Sequence, residues 1–378
     1  MPRIVLAPDS FKGCLTAPAV SAALASGLRR VWPTADILER PMADGGEGTL
    51  EAILTATGGT RHTAQVSAAD GRLSPTDYGL IHDDSTISAV LESAKVVGFA
   101  QAGDTPVAQR HSMGLGELLR HVLDRGVRRF FIGLGGSRTN DGGAGLLAAL
   151  GVRLLDVAGQ ALPPTPEGLA GLHRLDFSAL EPRLRECQLI LLSDVDNPLC
   201  GADGATAVFG PQKGVTPDQV AAFDARLRHL ADLGDAWAGD AFSLRPGAGA
   251  AGGLGYALLL VGAEMRSGAE TIAQINGLDA ALAGADWAIT GEGRSDLQTL
   301  RGKAPQVVAA HACRAGVPVS LVSGAIDPAA LAALSTDFDD CHAISSGPDS
   351  IAAAIAQAPE RLAAQAERLA RHFRSGNG

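Results

Sequence analysis

The two ends of this chain are written in one pattern and the middle in another. The first seventy residues alternate strand, loop and helix: "RIVLA", "PDSFKG", "APAVSAALASGLRRVW" behind a capping Thr16, then "DILERP", "MADGGEG" and "TLEAILTATGG". After the glycine-rich "RPGAGAAGGLG" the alternation resumes with "DWAITGEGRSD", "APQVVAAHACRAG", "VPVSLVSG" and "AALAALS". Parallel strands need a long crossover, so this alternation predicts a parallel sheet with helices on its faces. Between the two ends lie closely spaced strand-like runs, "TRHTAQV", "LSPTDYGLI" and "STISAVLE", which predict an antiparallel or mixed meander. The economical architecture is one α/β parallel-sheet domain built from residues 1–68 and 266–378, with a second α/β domain, 69–265, inserted. The C-terminal "IAAAIAQAPERLAAQAERLARHF" reads as an amphipathic helix kinked by Pro359.

With 378 residues, the chain is long enough for two domains with substantial cores. The formal net charge is -10 and no basic run interrupts it, so the surface repels nucleic acid and anionic membrane. An anionic substrate then needs a local positive site. Five scattered cysteines with no C-x-x-C pair indicate neither a disulfide framework nor zinc. The N-terminal apolar run is too short for a signal peptide and "YALLLVG" is far below a spanning length, so a soluble, cytoplasmic monomer or homodimer is expected.

In open α/β sheets, ligands sit beyond the carboxyl ends of the strands, which directs attention to five loops: 7–13, 42–49, 133–143, 193–201 and 289–303. The third, within "GLGGSRTNDGGAG", lies between the strand "RRFFIGL" and the helix "AGLLAALG". Its glycines either supply positive φ for a tight turn or let backbone N–H groups approach an anion. It matches neither a Walker A loop nor the dinucleotide fingerprint. Together the loops hold what phosphoryl transfer needs: backbone donors, cations, carboxylates for Mg²⁺, and a carboxylate to accept a hydroxyl proton. Lys12 reads as an anion clamp or a solvated lysine, and Glu47 as a ligand or a helix N-terminal acid. Asp194 and Asp196 lie two apart at a strand's end, one expected to serve chemistry while the other caps or turns the chain; Asn197-Pro198 is a turn signal. Glu292, Arg294, Asp296 and Lys303 crowd twelve residues beside glycines. His111 has no partner at metal spacing, and no zinc-protease helix or nucleophile elbow is present.

Laid out in order, "APDSFKG", "ADGGEGT", "GLGGSRTNDGGAG", "DVDNPLCG", "FGPQKG", "PGAGAAGGLG" and "TGEGRSDLQTLRGK" resemble the motifs of the bacterial glycerate kinase family over essentially the whole chain. The resemblance implies a Rossmann-like (flavodoxin-like) domain made from both chain ends, with a second α/β domain inserted. It implies ATP-dependent, Mg²⁺-requiring phosphorylation of D-glycerate to 2-phosphoglycerate, with glycerate and ATP as the partners. Matched position by position, it points to Asp9, Ser10 and Lys12, to Asp44, Gly45, Gly46 and Glu47, and to Gly135, Gly136, Ser137, Thr139, Asn140 and Asp141. It adds Asp194, Asn197 and Pro198, then Glu292, Gly293, Arg294, Asp296 and Lys303. Departures from the family pattern are Arg138, Lys95 and Met113.

On this reading Asp194 is the base, Lys12 and Arg294 neutralise phosphate charge, and Glu292 or Asp296 holds Mg²⁺. The glycine loops and remaining polar residues bind substrate or ATP. Spacing does not separate attack by the C2 hydroxyl from attack by the C3 hydroxyl. A kinase for another small hydroxy acid, and a non-catalytic nucleotide or metabolite sensor, are the competing readings.

Overall fold

The computed structural model describes residues 1–83, 86–345 and 351–376. The chain forms two compact units: Met1–Asp44, Glu51–Gly59 and Ser267–Gly378 make the first, and Gly45–Leu50 with Thr60–Arg266 the second.

The first unit is organised on a five-stranded, wholly parallel sheet. Across it the strands run Asp340–Ala343, Val319–Ser323, Trp287–Thr290, Arg3–Leu6 and Asp36–Glu39. Numbered by sequence within the unit, this is the 2-1-3-4-5 order of flavodoxin-like folds, with its switch point between Arg3–Leu6 and Trp287–Thr290. Helix Ala17–Val31 begins where the Thr16 hydroxyl accepts the Ala19 amide at 3.3 Å, with Pro18 in its first turn and Arg29 and Arg30 in its last. Its buried stripe of Val20, Leu24 and Leu28 recurs at helical spacing. That stripe shares a core with Ile4, Leu6 and Ile289 of the sheet and with Leu362, Ala366 and Leu369 of the helix Ile351–Gly376, which contains Pro359.

The second unit carries a mixed six-stranded sheet, in the order Glu264–Arg266, Gln188–Leu192, Arg129–Gly133, Thr86–Glu92, Leu73–Asp83, Thr60–Ser67. The first four are parallel, Leu73–Asp83 runs antiparallel to Thr86–Glu92, and Thr60–Ser67 runs antiparallel to Leu73–Asp83. Thr60–Ser67 pairs along its full length with Leu73–Asp83, so it belongs to this sheet. The division therefore falls at residue 59 rather than 68, and loop 45–50 also joins the second unit. Phe130, Ile132, Leu91 and Leu191 supply the sheet side of a continuous core against Leu115, Leu119 and Leu147 from the covering helices. Among the described residues no helix is long and apolar enough to cross a membrane.

Candidate active site

Each unit opens a cavity at the carboxyl ends of its parallel strands. In the first unit a crevice of about 530 Å³ lies at the switch point. Asp9, Ser10 and Lys12 come to it after the first strand, Asp44 after the second, and Glu292, Gly293 and Arg294 after the third, with Lys303 from the start of the next helix. Phe11, Ile344, Ile355 and Ala358 give it an apolar wall.

The charges in this crevice are paired by depth. Lys12 is exposed and its Nζ lies 3.3 Å from Asp44, whose carboxylate holds the ammonium above the ordinary lysine range. Asp9 is buried, and burial together with repulsion from Asp44 pushes its carboxyl up to about 8. Glu292 is also buried; it accepts hydrogen bonds from Thr299 Oγ1 at 2.6 Å and Ser295 Oγ at 3.0 Å, with Lys303 Nζ 3.8 Å away. Burial raises its pKa against those partners. Arg294 is largely exposed, 3.8 Å from Asp327. Asp296 does not line the crevice; its Oδ1 accepts the Gln298 amide at 2.8 Å. Among the described residues no three His, Cys, Asp or Glu side chains converge as a ready-made metal cage.

The second unit's cavity, about 560 Å³, is lined by both glycine loops, 45–48 through Glu47 and 133–143 through Gly135, Gly136, Ser137 and Arg138. Much of the glycine content answers to packing. The Gly135 amide donates to Gly45 O at 3.1 Å, and a Cβ at Gly135 would lie 2.4 Å from Gly46 Cα, so here the two loops touch backbone to backbone. Gly136 has φ +80° and faces the cavity. Thr139, Asn140 and Asp141 lie deeper, fully buried and outside the lining. Asn140 donates to Thr206 Oγ1 at 2.9 Å. Asp141 accepts from the amide and hydroxyl of Ser112, both at 2.7 Å, and from the amides of Gly143 and Gly145, both at 3.1 Å. Its carboxylate thus ties the loop to two helix starts.

Strand Gln188–Leu192 delivers Ser193 and Val195 to the same cavity, while Asp194 between them is exposed and outside the lining. Alternation along an extended chain accounts for this. Asn197 is spent on a turn, its Nδ2 donating to Asp203 O at 2.8 Å. Three charged lining residues were absent from the site read in the sequence: Lys95 and Arg138, noted there only as departures, and Lys213 from "FGPQKG". Glu92, at the end of strand Thr86–Glu92, is a fourth and was not singled out at all.

The glycerate kinase family model matches residues 4–374. The chain belongs to the glycerate kinase family. A Bacillus subtilis (strain 168) relative named glycerate kinase is 40% identical over 375 residues, 98% of this chain and 96% of that protein. An Escherichia coli (strain K12) relative named glycerate 2-kinase is 38% identical over 326 residues, 86% of this chain and 85% of that protein. A Salmonella typhimurium LT2 crystal structure provisionally named glycerate kinase 2 superposes with a TM-score of 0.86 at 40% identity, covering 99% of this chain and 98% of that one.

Proposed function

We propose that this protein transfers the γ-phosphoryl group of ATP to glycerate, giving 2-phosphoglycerate. The observation that carries the reading is the crevice of the first unit: an apolar wall, three cations and buried carboxylates gathered at a flavodoxin-type switch point, in a chain of the glycerate kinase family. Phe11, Ile344 and Ile355 suit an adenine ring, and Lys12, Arg294 and Lys303 suit its phosphates. The position of attack rests on the name of the E. coli relative, glycerate 2-kinase.

The donor chemistry of the crevice fits Mg²⁺, which is usually held by one or two carboxylates and by phosphate oxygens rather than by a protein cage. Glu292 with Asp9 would hold it, and it would neutralise charge on the β- and γ-phosphates. Asp296, already bonded to a backbone amide, is the weaker ligand of the pair expected from the sequence. In the transfer, the acceptor hydroxyl oxygen bonds to the γ-phosphorus and the bond to the β–γ bridging oxygen breaks. ADP leaves with that electron pair, and the hydroxyl proton passes to a carboxylate, for which Asp194 is the proposed base.

The test is coupled ADP release with D-glycerate, with L-glycerate and with no acceptor, followed by ³¹P and ¹³C NMR of the product. Glycerate-dependent release with phosphate on C2 is expected; release that glycerate does not stimulate removes the reading. The second unit's cavity exceeds the size of a three-carbon acid, so tartronate and sugar acids belong in the same panel as the rival acceptors.

A further inference from the structure

The second unit buries a cation that has no ionic partner among the described residues. Lys213 ends helix Ala205–Lys213 and is only 4% exposed. Its Nζ donates to Thr139 O at 2.8 Å and to Ser137 Oγ at 3.1 Å, both neutral. Among the described residues no carboxylate stands within ion-pair distance of it. Asp141, the one acid that acts on it through space, has its oxygens committed to Ser112, Gly143 and Gly145. Removing an ammonium from water without a counter-ion is expensive, and a fold keeps such an arrangement most economically where an anion arrives.

The surroundings are built for one. Lys213, Ser137 and Gly136 all line the cavity, and no other described residue engages the amides of Gly136 or Ser137. Arg138 is fixed at the same wall, its guanidinium 4.5 Å above the Phe99 ring and donating to Gln212 O. The charged lining is Lys95, Arg138 and Lys213 against Glu47 and Glu92, which leaves a surplus of a single positive charge. That balance suits a monoanion and opposes a triphosphate.

We propose that this corner of the cavity binds the carboxylate of the organic-acid substrate, with Lys213 as its counter-ion and the residue that selects small hydroxy acids over the corresponding neutral polyols. The identity of that acid as glycerate rests on the function proposed above; the carboxylate subsite does not. Burial pushes the Lys213 ammonium down to about 7, against Asp141, which favours the charge, and alongside Arg138, which opposes it. A bound carboxylate stabilises the charged form, so binding takes up a proton above that pH and weakens as pH rises.

The experiment uses the full chain, with D-glycerate, glycerol and Mg-AMP-PNP each titrated alone by calorimetry and thermal shift, in wild type and Lys213→Met. Methionine keeps the length of the side chain and removes the buried charge, so the variant is expected to fold. Expected is a loss of about 100-fold or more in glycerate affinity, no response to glycerol in either protein, and an unchanged response to Mg-AMP-PNP. Glycerate affinity equal to wild type overturns the proposal, and so does loss of the nucleotide response with glycerate kept, which would make this a phosphate site. Should the variant not fold, wild-type calorimetry between pH 6 and 9 in buffers of different ionisation heat decides: proton uptake supports the proposal and pH-independent binding sinks it. If wild type ignores glycerate yet binds lactate, glycolate or tartronate through Lys213, the subsite stands and the glycerate reading falls. If no small carboxylate binds, the subsite falls.

Discussion

The carboxylate of Glu92 accepts the amide of Leu50 at 3.0 Å, and its second oxygen accepts that of Gly48 at 3.2 Å. A buried acid at the end of one strand thereby satisfies two amides at the start of the helix Thr49–Thr57 that have no partner within the helix, and sets the loop that carries Glu47. Glu92→Gln keeps one acceptor and turns a donor toward the other amide. A stability loss of about 1–3 kcal/mol is expected in urea unfolding. Burial raises the folded-state pKa of Glu92, so over the window from the ordinary glutamate value up to that raised value the folded state binds more protons than the unfolded one. Stability contributed here is highest at the acid side and declines as pH rises. The gap between wild type and variant should therefore narrow with rising pH across that window, and a constant gap would show that the carboxyl is not strained by burial.

Asp194→Asn should lower kcat by about 100-fold or more while leaving Mg-ATP binding in place, because the amide keeps the shape and cannot take a proton. Glu47→Gln is the informative comparison, since Glu47 lines the second unit's cavity and Asp194 does not. Single-turnover kinetics of both variants assigns the base. A large loss in Glu47→Gln with Asp194→Asn near wild type transfers the role to Glu47.

Arg294→Lys should raise the KM for ATP several-fold with little change in kcat, since a planar guanidinium grips phosphate with two parallel bonds and an ammonium does not. The side chain is largely exposed, and its 3.8 Å contact with Asp327 is too open to fix it otherwise. Unchanged KM values for both substrates would leave Arg294 with that surface ion pair alone.

Gly135→Ala and Gly136→Val separate packing from binding within one loop. At Gly135 the new Cβ would press on Gly46 Cα at 2.4 Å, so a stability loss of about 1–3 kcal/mol is expected from backbone displacement. Gly136→Val must hold a β-branched residue at φ +80° with its Cβ 2.8 Å from that of Ala94, and it also fills the cavity edge. It should lose stability and, in the fraction that folds, the thermal shift given by glycerate. Normal stabilisation by glycerate in folded Gly136→Val would reduce this loop to a turn.

Local periodicity made the frame legible: "RIVLA", "DWAIT" and "VPVSLVS" became the strands Arg3–Leu6, Trp287–Thr290 and Val319–Ser323, and Thr16 caps the helix it was expected to cap. The loops after those strands followed, because a parallel sheet puts every such loop on one edge. What stayed hidden depends on contacts distant in sequence. Asp141 looks like a ligand among glycines, and only the fold brings Ser112 to it. Lys213 looks like an ordinary lysine at a helix end, and only the arrival of Ser137 and Thr139 from seventy-odd residues earlier buries it. A boundary at residue 68 cuts across the meander that "TRHTAQV" and "LSPTDYGLI" predict, since Thr60–Ser67 and Leu73–Asp83 pair along the full length of the shorter strand.

The interleaving of the five-stranded sheet sets an order of events during synthesis. Ile4 pairs with Trp287, so the first strand made must wait for roughly 280 further residues, about 15–55 s at ordinary ribosomal speed, before its neighbour exists. Through that interval it carries an open hydrogen-bonding edge, and the apolar stripe of helix Ala17–Val31 lacks most of its cover. Residues 60–266, by contrast, contain all six strands of the other sheet in one continuous stretch. Ribosome-arrested chains that have just cleared the exit tunnel at residue 270 should accordingly resist protease within 60–266 while remaining cleavable within 1–44.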